Sequence, residues 1–289
     1  MVHKKVKYQL PAVEIDMGGI PVKQALPTIR IEQVDPFLLL HHGKFTFTEL
    51  APALHQGVGP HPHRGFSPVT FVVDGEVHHR DSRGNSQIAH KGDVQWLNAG
   101  AGIIHSERPS QELSDRNGTQ EIIQLWINTP AANKMKQPFY QYLPSDELNV
   151  FHSEDQLVSN KLIAGNLMGK KSKVVTESEL LIVWSESATA GKQTFQVPDE
   201  FNTMLYIVNG TVTVSGYGLV EAEKLVVFDQ SPGEVEIFSK TASQYILLSG
   251  APLHEKVVQQ GPFVMNSETE ILLAMRDYQM GKMGLLIEE

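Results

Sequence analysis

No cysteine occurs among the 289 residues. That absence removes disulfides and every thiolate metal site; the chain either works in a reducing compartment or does without covalent staples. Long apolar runs are missing as well. Stretches such as Phe37-Leu38-Leu39-Leu40 fall far short of the about 20 residues a helix needs to cross a bilayer. The basic start Met1-Val2-His3-Lys4-Lys5 leads into no apolar segment of the kind a secretory signal carries. Basic charge is scarce: 24 Lys and Arg face 33 Asp and Glu, for a net charge of -9. No basic stretch is longer than Lys170-Lys171 with Lys173. A phosphate backbone needs a basic face, so nucleic acid is excluded as the main partner. No glycine-rich phosphate loop is present, and no Ser-His-Asp arrangement stands out. These absences predict a cytoplasmic protein without a direct nucleic-acid or membrane partner.

Hydrophobic residues make up 41% and charged residues 20% of the chain, the balance of a globular protein with about two domains' worth of length. Most of it reads as short strands and turns. Val69-Thr70-Phe71-Val72-Val73 is β-branched and aromatic and stops at Asp74-Gly75, a strong turn signal. Gln120 to Asn128 alternates as a strand does. A second pattern of this kind begins near residue 181: Met204-Leu205-Tyr206-Ile207-Val208 stops at Asn209-Gly210 and is followed by Thr211-Val212-Thr213-Val214. Glu223 to Phe228 echoes Lys91 to Leu97, and Gln244-Tyr245-Ile246-Leu247-Leu248 echoes Gln124-Leu125-Trp126-Ile127. The repeat predicts an all-β protein of two similar domains, sandwich or barrel, joined in the region 145–180. Thr129 to Met135 predicts a turn and a short helix. Ser267-Glu268-Thr269-Glu270 before Ile271-Leu272-Leu273-Ala274-Met275 has the form of a capping box and predicts one C-terminal helix.

The chemistry concentrates in two short stretches. His61-Pro62-His63 puts two imidazoles on one face of a strand, because alternate residues share a face. His105-Ser106-Glu107 puts an imidazole and a carboxylate on one face of another. Three nitrogens and an oxygen form a ligand set for a first-row transition metal, iron foremost, with manganese, nickel, copper, cobalt and zinc as alternatives. Spacing alone leaves a second reading open, in which these are solvated polar side chains on exposed strand faces. A zinc deaminase is excluded, since its His-x-Glu works with a Pro-Cys-x-x-Cys that this chain lacks. The repeat is chemically unequal. The two histidines lie 14 and 12 residues before Gly75, and the same offsets before Gly210 fall on Gln196 and Pro198.

His61-Pro62-His63-Arg64-Gly65-Phe66, Gly92 to Gly100 and Gly102 to Glu107 resemble the signature of the pirin family. Asp35-Pro36-Phe37-Leu38, Gln124 to Asn128 and Gly261 to Asn266 resemble it too, and the likeness runs from about residue 15 to the C-terminus. It implies a bicupin, two tandem jelly-roll β-barrels with a short C-terminal helix. The expected division is a metal-binding cupin over 1–150 and a cupin lacking metal ligands over 151–289. In this family three His and one Glu hold a single iron, roles that map onto His61, His63, His105 and Glu107. Many members carry Glu where this chain has Ser67, so a carboxylate that would tune the metal is missing.

The resemblance implies one of two functions. The first is a metal-dependent dioxygenase, a quercetin 2,3-dioxygenase-like oxidoreductase that opens flavonols with dioxygen and releases carbon monoxide. Glu107 would be its general base, and a flat aromatic would be its substrate. The alternative is a non-enzymatic iron-binding regulator whose metal redox state controls binding of a protein partner. Paired barrels are compatible with a monomer. Other residues have plainer readings. His78, His79 and His90 fit surface strands or loops. His41, His42 and His55 fit either the lining of the cavity mouth or, more plainly, a solvated loop. Trp96 and Trp126 fit the core. Arg64 either orients a ligand or pairs with a carboxylate.

Overall fold

The computed structural model describes residues 2–288. Two compact units emerge from the contacts. One comprises the chain up to Ile15, Lys23–Pro36 and Glu147–Leu253; the other comprises Asp16–Val22, Phe37–Asp146 and the chain from His254 onward. The sequence reading makes one cut between 150 and 151, whereas the contacts change unit after Ile15, Val22, Pro36, Asp146 and Leu253. The additional crossings are made by extended arms at both ends of the chain. A strand near one end of the chain can satisfy a sheet edge formed by residues far away in sequence. Val6–Pro11, for example, pairs antiparallel with Lys224–Phe228.

In the unit that carries His61, one sheet includes Phe139–Leu143, Val94–Asn98, Phe66–Asp74, Thr119–Asn128 and Phe37–Thr46, side by side in that order. The other has the order Val58–His63, Ile103–Arg108, Glu76–Asp81, Ser86–His90. All these pairings are antiparallel. The second unit repeats the plan. Lys224–Phe228, Asn202–Asn209, Ser243–Gly250, Leu180–Ser187 and Val158–Ala164 lie in one sheet, and Lys192–Phe195, Val235–Ser239, Thr211–Val214 and Gly218–Glu221 form the other. The expected tandem jelly rolls are therefore present, with strands ending at Asp74-Gly75 and Asn209-Gly210 as the turn signals require.

The two interiors differ. Leu162, Leu181, Val183, Phe195, Leu205, Val212 and Leu247 belong to one apolar cluster that fills the second unit. The first unit keeps polar side chains inside. Its outer face is covered by the returning C-terminal segment. Helix Glu268–Gln279 is capped by Ser267, whose hydroxyl accepts from Glu270 N, and Glu270 reaches back to Asn266 N at 3.0 Å. Ile271 and Ala274 of this helix pack with Ile104, Phe263, Met265 and Met283. Arg64 donates to Ala101 O at 2.6 Å and pairs with Asp277 at 3.1 Å, so it fastens the helix rather than orienting a ligand. Gly65 has φ +86°, and a Cβ there would strike the Val264 carbonyl, so glycine lets the segment lie against the barrel. The short helix expected near 129–135 is one 3-10 turn, Ala131–Asn133. It delivers Lys134, whose buried ammonium donates to Gly65 O, Asn128 Oδ1 and Val264 O at 2.6, 2.6 and 3.0 Å.

Candidate metal centre

Strand register builds the site. His61 pairs with His105, and His105 pairs on its other side with Asp81. Glu107 pairs with His79 in the next row of the same face. His63 follows His61 by two residues and shares its face. His61, His63 and His105 thus each bring a nitrogen to one place, all three within 4.8 Å of one another. The ring centroids lie 4.7, 4.4 and 4.8 Å apart for the pairs 61–63, 61–105 and 63–105. Among the described residues this is the one group of three or more His, Asp or Glu close enough to hold an ion.

Hydrogen-bond partners fix where the lone pairs point. His61 Nδ1 lies 2.8 Å from Gly59 O. A carbonyl only accepts, so this nitrogen carries the proton and Nε2 is bare. His61 Nε2 faces His63 Nε2 at 3.1 Å. Two lone pairs tolerate that approach only with a proton or a cation between them. His105 Nε2 is buried and has no hydrogen-bond partner, an unusual state for a polar atom and one that a ligand would relieve. Burial, reinforced by the neighbouring imidazoles, holds His63 and His105 well below the usual histidine range. Both rings are therefore neutral at pH 7, the form that binds a metal. The donor set fits a first-row ion.

Glu107 stands beside the imidazoles but outside their cluster. Its Oε1 accepts from Thr70 Oγ1 at 2.7 Å and its Oε2 from Gln124 Nε2 at 2.8 Å. Trp126 Nε1 donates to Gln124 Oε1 at 3.2 Å, which fixes the direction of the amide. The structure thus draws together three of the four side chains expected as ligands and seats the fourth on two donors of the facing sheet. Thr70 pairs with Gln124, and Gln124 with His41, so these residues form one row.

A cavity of about 410 Å³ opens beside the cluster. Ile20, Phe45, Phe47, Val58, Ile122 and Trp126 supply apolar wall, and His61, His63, Glu107, His41, Gln120 and Gln124 supply the polar groups. Four plain readings need correction here. Trp126 lines this cavity and meets His63 edge-on at 5.4 Å, because residues 120, 122, 124 and 126 all face inward. His41 and His42 lie buried on strand Phe37–Thr46, not on a loop, and burial pushes His41 down to about 4. His79 is buried: it stacks on Tyr140 at 4.2 Å, and its Nε2 meets Asp81 Oδ2 at 3.1 Å. Its Nδ1 meets His105 Nδ1 at 3.4 Å. Burial works against ionisation of Asp81, but hydrogen bonds from His79, Asn85 and Arg83 outweigh it and hold the carboxyl below its ordinary value. The signal for this pair was in the chain, since His79-Arg80-Asp81 has the same alternate spacing as the other two motifs. Trp96 is buried, in line with a core role. Ser67 pairs with Ile127, whereas Pro68 pairs with Trp126. Side chain 67 therefore points away from the cavity.

The pirin family model matches residues 19–127, and the model of the pirin C-terminal cupin domain matches residues 183–284. Pirin-1 of Arabidopsis thaliana is 38% identical over 287 residues, covering 96% of this chain and 94% of the relative. Human pirin is 31% identical over 287 residues, covering 97% and 94%. The crystal structure of quercetin 2,3-dioxygenase from Acinetobacter baumannii superposes with a TM-score of 0.91 at 31% identity, over 99% of this chain and all of that one. With both cupin repeats matched in order and relatives aligned along nearly the whole chain, the protein belongs to the pirin family.

Proposed function

We propose that this chain is a metal-dependent dioxygenase that opens the ring of flavonols such as quercetin, or of a related enolisable aromatic. In this reading His61, His63 and His105 hold one first-row metal ion, iron first among the candidates. Glu107 is a fourth ligand and the general base. The first unit carries the ion, and the second, filled by apolar side chains, keeps the fold alone. One observation carries the proposal: three imidazoles gather beside an apolar cavity, with the buried Nε2 of His105 left without a partner and a carboxylate next to them. The 31% identity to a structure named quercetin 2,3-dioxygenase supports the choice of substrate class.

Once bound, such an ion supplies Lewis-acid and redox chemistry. The chain's own groups do the rest. The apolar walls hold a flat ring and exclude water. Thr70 and Gln124 aim the Glu107 carboxylate, which accepts the proton of the substrate's acidic hydroxyl. His41, neutral at pH 7, offers a polar contact without adding charge. The test is incubation of quercetin with protein loaded separately with iron, manganese, nickel, copper or cobalt. Loss of flavonol absorbance with matching oxygen uptake and carbon monoxide release is expected. No consumption with any of these ions would remove quercetin as substrate. Different partner sets captured by ferrous and ferric protein would then favour the regulatory reading.

A further inference from the structure

Three buried side chains in a row, His105, His79 and Asp81, lie behind the cluster, and the function above uses only the first of them. The Asp81 carboxylate is fully engaged. Its Oδ1 accepts from the backbone N–H groups of Arg83 and Asn85 at 2.9 and 3.1 Å. Its Oδ2 accepts from Asn85 Nδ2 at 2.8 Å and faces His79 Nε2 at 3.1 Å. An ionised carboxylate only accepts, so a neutral His79 ring carries its proton on Nε2 and leaves Nδ1 bare. His105 Nδ1 faces that bare nitrogen at 3.4 Å and must supply the proton between them. The last nitrogen of the chain, His105 Nε2, is then left without a proton, buried and unpartnered beside His61 and His63.

We infer that Asp81 and His79 are positioning residues that select the tautomer of His105 and so keep its Nε2 lone pair available to a metal. This rests on the metal-centre reading for its purpose, but not for its mechanism, which operates in the metal-free protein. The stack of His79 on Tyr140, nearly coplanar at 8°, keeps the middle ring in the plane the relay needs.

The sharpest variant is Asp81→Asn. The two backbone donors hold the amide oxygen at the Oδ1 place, so the amide NH2 turns to His79 Nε2. His79 then accepts there, its proton moves to Nδ1, and His105 is driven to carry its own proton on Nε2. Nitrogen-15 NMR of the metal-free protein at pH 8 reads the tautomer directly, and competition with a chelator for iron or cobalt reads affinity. The expected result is a switched His105 tautomer with affinity lowered about 10–100-fold. Asn85→Ala is the control. It weakens the same turn and leaves the relay, so it should keep both the tautomer and the affinity. His79→Phe, which can keep the stack on Tyr140 but offers no acceptor, covers the case in which Asp81→Asn does not fold. It should lose the tautomer preference. An unchanged tautomer in both Asp81→Asn and His79→Phe would overturn the inference, as would an Asn85→Ala protein that behaves like Asp81→Asn. A switched tautomer in a protein whose wild type binds no ion would leave the relay standing and reject the metal-centre reading.

Discussion

At the scale of single residues, Glu107 decides between structure and chemistry. Both its oxygens are held by donors of the facing sheet, while three imidazoles of its own sheet gather without it. Glu107→Gln should keep metal through those imidazoles and lose turnover by about 10²–10⁴-fold, the range for removal of a general base. Metal content and kcat measured on the same sample check this, and full turnover would reject Glu107 as base. His61, His63 and His105 were readable because alternate spacing on a strand is a local property. His79 and Asp81 share that spacing, but their part depends on which strand Glu76–Asp81 pairs with and in what register. The places of Trp126 and His41 are hidden from the sequence for a similar reason: the inward direction of a strand is settled by its partners. Register also disposes of the concern over Ser67, since a carboxylate there would face away from the cavity.

At the scale of elements, the pairing of Phe37–Thr46 with Thr119–Asn128 carries a pH-dependent tie. Glu121 pairs with Lys44 across the strands, and its carboxylate meets His42 at 3.0 Å and Lys44 at 3.1 Å. The hydrogen bond from His42, with help from Lys44 and against burial, pulls Glu121 from its ordinary 4.5 down to about 2. A depressed carboxyl stabilises the fold above its unfolded value and loses that contribution as pH falls through the folded one. The tie is therefore complete above pH 4.5 and gone below about 2. Denaturant midpoints of Glu121→Gln should lie below wild type at pH 6, and the two curves should converge as pH approaches 2. A constant gap across that window would reject the tie. Strands and the C-terminal helix were legible because turn signals and a capping box are written in adjacent residues. The strand Val6–Pro11 was not read, because its partner Lys224–Phe228 lies more than two hundred residues away.

At the scale of the whole molecule, the units interleave along the chain. A fragment ending at residue 150 would carry arms belonging to the other unit and would lack the segment from His254 onward that covers its own. Lys134 would lose its Val264 acceptor, and Arg64 would lose Asp277. Stranding buried charge costs on the order of 3 kcal/mol or more, against a total stability of roughly 5–15 kcal/mol. Fragments 1–150 and 151–289 expressed separately should therefore show no cooperative melt, as followed by circular dichroism. A folded, metal-competent 1–150 fragment would contradict this. The repeat was readable as two domains because sequence similarity follows the barrels. The exchange of arms was hidden because it follows space. Interleaving also dictates a timetable. On the ribosome, the histidine-bearing barrel emerges early but stays uncovered until the last thirty-odd residues appear. The barrel that bears the histidines is thereby completed only when the C-terminal residues have been made.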